Sequence, residues 1–241
     1  MIKLRAAALS DIGHVRRNNE DRFLCDASAL YFGVADGVGG LPGGAEASQR
    51  TIEEVTLALK AHHGRDEPDL KHIVHETNVA VQELGQLISP EMGIASTLTF
   101  AHIRAHSLHL AHVGDSRAYL WRAGRLMALT SDHSVENEAR VRRSRGEKIF
   151  FHEFNRNALT RCIGQPTSPE PDLLTHEIQV DDRYLFCTDG ITRLVNEDEL
   201  EKLLSRKDEP EVVLREIIAQ ALRRGGHDNA TGVLVFIDAL E

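Results

Sequence analysis

"YFGVADGVGG", Tyr31–Gly40, is an apolar run that stops at Asp36-Gly37. A second run of the same form, "YLFCTDG", ends at Asp189-Gly190. Taken singly, Asp-Gly is a favoured two-residue hairpin turn, and most strand-terminal Asp-Gly pairs are no more than that. Two of them closing unrelated apolar runs raise a sharper reading, in which the aspartates meet at one end of a sheet to hold something. Outward from this stretch, further strand-like runs arrive in clusters. "RFLCDA" (22–27) precedes it; "STLTFAHI" (96–103), "SLHLAHVGD" (107–115), "RAYLWR" (117–122) and "RLMALT" (125–130) read as a meander. The breaks at Gly114-Asp115 and Ala123-Gly124 read as hairpin turns. "LLTHEIQV" (173–180), "YLFCTD" (184–189) and "TGVLVFID" (231–238) follow later.

Helical periodicity fills the intervals. Ile52, Val55 and Leu59 form one stripe, and Leu70, Ile73, Thr77, Val81, Leu84 and Ile88 a second. Val213, Ile217 and Ala221 form a third, closed by Gly225-Gly226 as a helix C-cap; "NEDELEKLLSR" (196–206) is a shorter helix. Runs of strands with paired helices between them give an α+β class with antiparallel sheets, not a βαβ alternation. No repeat or Pro-rich linker divides residues 1–241, which read as one domain. Residues 135–157, polar and basic, read as a helix followed by a flexible surface segment.

The chain of 241 residues carries 28 Lys plus Arg against 37 Asp plus Glu, a net charge of −9 that argues against nucleic-acid or membrane-surface binding. Its 41% hydrophobic and 27% charged residues are ordinary for a globular protein. Cys25, Cys162 and Cys187 are odd in number, far apart and in no C-x-x-C pair, which reads as a reduced, intracellular protein. The apolar start "MIKLRAAALSDIGH" is broken by Ser10-Asp11, too soon for a secretory segment, and no run reaches membrane-spanning length. The expected location is the cytoplasm.

The acids are placed unevenly. Asp36, Asp115 and Asp189 sit at strand ends, while Glu20, Asp21 and Asp228 stand just before strands begin. In an antiparallel sheet the end of one strand lies beside the start of its neighbour, so these six carboxylates can share one rim. Clustered carboxylates stay ionised together only when cations neutralise them, and an all-oxygen set suits Mg²⁺ or Mn²⁺. Glycine after each Asp leaves its carbonyl free to approach an ion. Arg16 and Arg17, just ahead of Glu20, supply the guanidinium fork that matches phosphate oxygens.

In order, "SDIGHVRRNNED", "VADGVGG", "HVGDSRAYLWRAGRL", "SDHS", "NALTRCIG", "FCTDGI" and "HDNATGVLV" resemble the motifs of the bacterial metal-dependent protein Ser/Thr phosphatases of type 2C, from about Ser10 to Val235. The resemblance implies a four-layer α-β-β-α sandwich of two antiparallel sheets with a binuclear Mg²⁺ or Mn²⁺ centre at one end. It implies that Asp36 bridges both ions, that Asp189 and Asp228 complete one shell, and that Glu20 and the Gly37 carbonyl serve the other. Asp21 matches an acid acting through water, and Asp115 the ligand, shared with Asp189, of a third, weaker ion. Arg16 matches the phosphate-holding arginine, with Arg17 facing elsewhere, and 135–157 matches the family's flap. The implied partners are phosphorylated proteins and a cognate Ser/Thr kinase, and the expected form is a monomer. Rival readings are a catalytically inactive phosphoprotein-binding relative and a hydrolase of small phosphate esters.

Three features stand apart. Some members carry a histidine two residues after the bridging aspartate; here Val38 occupies that position and cannot donate a proton. By position His14 and His133 read as structural, so the proton is expected from water, a metal-bound water or another residue, the preferred source being a third-ion water held by Asp115. In "HIRAHSLHLAH", His102 and His106 point one way along a strand while His109 and His112 point opposite ways, so the four read as scattered and not as a zinc site. Arg140, Arg142, Arg143 and Arg145 read as either a recognition surface for acidic partners or a solvated helix face.

Overall fold

The computed structural model describes residues 2–40, 42–62 and 67–241. Among these, ten strands form two five-stranded antiparallel sheets. The first has the order β1 (Ile2–Asp11), β10 (Ala230–Leu240), β9 (Arg183–Cys187), β6 (Arg117–Arg122), β7 (Arg125–Ala128). The second runs β2 (Asp21–Asp26), β3 (Tyr31–Asp36), β4 (Leu98–Arg104), β5 (Ser107–Val113), β8 (Asp172–Glu177).

The sheets pack face to face through Phe32, Val34, Leu108 and Leu110 on one side and Leu120, Tyr184, Phe186, Val233 and Val235 on the other. Strand periodicity sorts the rest. Along β10, Val233 and Val235 enter this inner core, while Leu234 and Phe236 point outward. The outward set is covered by α4 (Asp189–Thr192), α5 (Glu197–Leu204) and α6 (Pro210–Arg223). On the second sheet α1 (Gly44–His62) and α2 (Leu70–Ile88) bury Val55, Leu59, Ile73, Val74 and Val81. This is the α-β-β-α sandwich that the family resemblance implies.

The helix boundaries follow local chemistry. Asp69 caps α2 by accepting from the backbone N–H of Lys71 and His72, and Asn196 with Glu199 forms a capping box on α5. Pro210 opens α6, where its missing N–H costs nothing. The α2 stripe fades at its end, where Ile88 is exposed.

Two expectations are corrected, two are borne out, and one strand was not anticipated. Residues 2–11 form the long strand β1, in register with β10 from Ile2↔Leu240 to Asp11↔Ala230. Its run of alanines has weak strand preference, and pairing decides the conformation instead. Gly114-Asp115 is no hairpin, because β5 and β6 belong to different sheets and the chain crosses between them there. Ala123-Gly124 is one, with φ of 51° and 83° at its two positions. Asp189 does not end a strand; β9 stops at Cys187 and Asp189 opens α4. In 135–157, α3 (Val135–Ser144) is capped by Ser134 and followed by irregular chain carrying the exposed Phe150 and Phe154.

At the sheet end opposite the acids, the fully buried Asp182 accepts a two-pronged bond from Arg122 (both 2.6 Å), one from the Tyr184 hydroxyl (2.9 Å) and one from the Gln179 N–H (2.7 Å). Asp182→Ala strands these donors and is expected to cost about 3 kcal/mol in urea unfolding, as for breaking a buried pair. A loss below about 1 kcal/mol, the ordinary level for a surface pair, would show that this network does not hold the sheet end.

Candidate metal centre

Two sheets whose strands run antiparallel bring several strand ends to one rim. Asp21 lies opposite Asp36 in the β2–β3 register, and the Gly37 N–H donates to the Glu20 carbonyl (3.1 Å). Three bonds fix the Asp36 backbone itself. Its N–H donates to Thr97 Oγ1 (2.9 Å), and its carbonyl accepts from Thr97 N–H (2.8 Å) and Ser96 Oγ (3.0 Å). From the other sheet Asp189 arrives at the start of α4, Asp228 just ahead of β10, and Asp115 in the crossing between sheets. Glu20, Asp36, Asp115, Asp189 and Asp228 thus line one cleft of about 170 Å³, together with Arg16, Gly37 and Val38.

Glycine follows Asp36 and Asp189 for a steric reason. A Cβ on Gly37 would stand 2.1 Å from the Gly44 carbonyl oxygen, and one on Gly190 would stand 1.9 Å from that of Asn229. The first contact lets β3 abut the start of α1; the second sets Asp189 beside Asp228. Asn229 completes the join. Its Oδ1 accepts from the Glu20 N–H (2.8 Å), and its Nδ2 donates to the carbonyls of Ile12 (2.9 Å) and Asn18 (3.0 Å), pinning the loop that carries Arg16.

The expected residues are not all equivalent. Asp21 does not line the cleft; it is buried beneath Asp36, with Oδ2 accepting from the Thr188 hydroxyl (2.8 Å) and Oδ1 unpartnered. Arg16 donates to Asp228 at 2.7 Å, whereas Arg17 is absent from the cleft lining. His133 Nδ1 accepts from the Gly114 N–H (3.1 Å) while Nε2 faces Asp172 (3.2 Å), so this ring holds the crossing ahead of Asp115 and does not reach the cleft. His14 packs against Gly226. Among the described lining residues there is no histidine, lysine or cysteine. Asn157 and Leu159, at the end of the flap segment and just beyond it, do line the cleft. Of the flap arginines, Arg140 bonds Asn137, Arg142 pairs with Glu147, and Arg143 donates to the Ile149 carbonyl.

Sequence reasoning missed Arg193. One turn along from Asp189, it forms an ion pair with Asp189 and reaches within 3.6 Å of Asp115. An arginine four residues after an aspartate in a helix was the available signal. Thr97 and Asn229 also escaped, although Asn229 lies inside "HDNAT".

Five carboxylates therefore face two guanidinium groups. Burial, then repulsion from Asp189, pushes Asp115 up to about 7 despite Arg193. Burial also pushes Asp21 to about 7 and raises Asp36 well above the carboxylate range, with Asp21, Asp189, Asp115 and Asp228 adding repulsion. Asp189 and Glu20 are raised by burial against the opposing pull of Arg193 and Arg16 respectively. Asp189 Oδ1 and Asp21 Oδ1 are buried without a hydrogen-bond partner. Unpaired buried oxygens, surplus negative charge and an all-oxygen donor set are what hard divalent cations satisfy. The residues fit such ions.

The protein phosphatase 2C family model matches residues 5–230. The chain belongs to that family. It is 34% identical over 238 residues to the serine/threonine protein phosphatase PstP of Mycobacterium tuberculosis, spanning 96% of this chain but only 44% of PstP. It is 30% identical to a putative protein phosphatase 2C-type of Streptococcus pyogenes, spanning 96% of this chain and 97% of that one. A solved structure of the PstP catalytic domain in complex with two manganese ions superposes with a TM-score of 0.83 at 32% identity, covering 98% of this chain and 99% of that one. No helix among the described residues is long and apolar enough to cross a membrane.

Asp21 and Asp115 titrate near 7 in the fold and near 3.9 when unfolded. A carboxyl raised in this way favours the folded state most below the unfolded value, and that contribution is lost as pH rises through about 7. The metal-free protein should therefore lose Tm from these groups between pH 5.5 and 8, and Asp115→Asn should flatten the slope. Mn²⁺ should raise Tm by at least about 4 °C more at pH 8 than at pH 5.5, which is 1–2 kcal/mol for a chain of this size. An equal rise at both pH values would show that protons and ions do not compete for these oxygens.

Proposed function

We propose that residues 1–241 act as one catalytic domain that removes phosphate from phosphoserine and phosphothreonine in proteins, using Mg²⁺ or Mn²⁺. The observation that carries this reading is the cleft itself, in which five carboxylates meet two arginines. Asp36 would bridge two ions, Asp189 and Asp228 would complete one shell, and Glu20 with the Gly37 carbonyl the other. Asp21, buried below, would act through water. Bound divalent ions supply Lewis-acid charge and an activated water for in-line attack.

The chain's own groups do the rest. Arg16 donates to Asp228 at 2.7 Å, and its guanidinium would fork onto phosphate oxygens if Asp228 held a cation instead. Asn229 keeps the Arg16 loop in reach through the Ile12 and Asn18 carbonyls. Thr97 Oγ1 is engaged with the Asp36 N–H and the Ser116 hydroxyl, which leaves it unsuited as a nucleophile and supports direct attack by water. With Val38 in the lining and no histidine among the described lining residues, the leaving oxygen would take its proton from water. A protein phosphatase requires a kinase that makes its substrate. The proposed setting is accordingly a cytoplasmic monomer opposing a cognate Ser/Thr kinase, with phosphorylated proteins as partners.

Purified protein should hydrolyse p-nitrophenyl phosphate and a phosphothreonine peptide with Mn²⁺, and chelation should abolish both activities. Arg16→Ala should lower kcat/KM by about 10²-fold, the order lost with one charge-stabilising donor, while Arg17→Ala stays within threefold. Turnover without metal, or greater damage from Arg17→Ala, would overturn the assignment. Activity on the dye ester alone would move the substrate to small phosphate esters.

The contacts of Arg193 with Asp189 and Asp115 support a second reading at the third-ion position, where this chain supplies a guanidinium in place of a cation. Titration calorimetry should then find two Mn²⁺ equivalents in the wild type and an added weak one in Arg193→Ala. The same stoichiometry in both proteins would refute that substitution of charge.

A further inference from the structure

His102 of β4 and His109 of β5 are not scattered, although His112 lies apart against Thr99 and Ser131. The β4–β5 register sets His102 directly opposite His109, with their rings 4.8 Å apart and 16° from parallel. Strand alternation along one strand hid this pair, because the partner faces it from across the ladder. Glu67, ahead of α2, reaches His109 Nδ1 at 2.9 Å, and ligand atoms of the three residues lie within 4.8 Å of one another. His102 is 3% exposed, and its Nε2 has no hydrogen-bond partner. A buried ring nitrogen left unpaired costs about 1–3 kcal/mol, so something is wanted at that atom.

We propose that Glu67, His102 and His109 hold a borderline divalent cation of the Zn²⁺ class, apart from the phosphatase centre. His102 pairs with Tyr31 at the far end of β3 from Asp36, five residues and about 17 Å away along the strand. Two imidazoles and one carboxylate select Zn²⁺ over Mg²⁺ or Mn²⁺, whereas the oxygen-only rim has the opposite preference. The near-parallel rings must tilt toward a common centre, and the broad χ2 torsion of histidine makes that inexpensive. A cavity of about 260 Å³ beside His102 gives access and room for a fourth ligand. His62 lines that cavity. Its Nδ1 donates to the Ala58 carbonyl (2.9 Å), which leaves the Nε2 lone pair available. Such an ion would tie the chain ahead of α2 to the β4–β5 hairpin.

The test uses the full chain with the rim disabled by Asp36→Asn and Asp189→Asn, in excess Mg²⁺, with Co²⁺ as a visible-absorption probe and Zn²⁺ as competitor. One equivalent of Co²⁺ with a tetrahedral band, displaced by Zn²⁺, is expected. Adding Glu67→Gln or His109→Gln should weaken Zn²⁺ binding at least about tenfold, or 1.4 kcal/mol. In the otherwise wild-type protein, the same two changes should leave phosphatase activity unchanged. His102→Gln is buried and risks the fold, so the two more accessible positions carry the test. Unaltered Zn²⁺ affinity in both variants, or no saturable site below about 100 µM, a bound of roughly 5.5 kcal/mol, would overturn the proposal.

Discussion

Repulsion between carboxylates is the constraint on which the functional end of this molecule depends. The fold crowds Glu20, Asp36, Asp115, Asp189 and Asp228 into one small cleft, and burial removes the water that would otherwise separate their charges. Nothing in the three apolar layers requires this. The apolar layers between and outside the sheets would pack equally well over a polar rim of serines. The acids are costly in the absence of cations, and the chain offsets only part of that cost with Arg16 and Arg193. The remainder is a standing demand for positive charge, which divalent ions would meet.

Holding like charges together needs a rigid frame, and backbone contacts provide it. Gly37 against Gly44 and Gly190 against Asn229 bring main chain to main chain with no room for a side chain. Thr97 and Ser96 grip the Asp36 backbone, and the side-chain amide of Asn229 links the Glu20 strand to the Arg16 loop. These bonds belong to neutral groups, so they persist whether or not the carboxylates are neutralised. The frame therefore does not depend on the charge state of the acids it holds.

Most of this was legible in the sequence, for a physical reason. Apolar runs followed by Asp-Gly mark buried strands beside close backbone contacts, and the seven quoted motifs gave the fold, Arg16 and the five cleft carboxylates, together with Asp21, which lies outside the lining. What stayed hidden depends on pairing across the chain. β1 is a strand because β10 lies beside it, not because its alanines prefer to be one. Gly114-Asp115 looks like a hairpin until β5 and β6 are assigned to different sheets. His102 and His109 face each other only through the β4–β5 ladder. Arg193 took its place from α4, a single turn too short to show as periodicity.

The ion pairs also divide the cleft into unequal halves. Arg16 engages Asp228, and Arg193 engages Asp189 and approaches Asp115. Among the described residues, no ion pair reaches Glu20 or Asp36. Under the proposed assignment, a cation at Glu20 and Asp36 would displace no partner, whereas one at Asp189 and Asp228 would displace a guanidinium. Filling of the Asp228 side and freeing of Arg16 would then be one event. The guanidinium proposed to hold phosphate would become available only as that side fills, which would tie substrate affinity to metal occupancy through a single shared carboxylate.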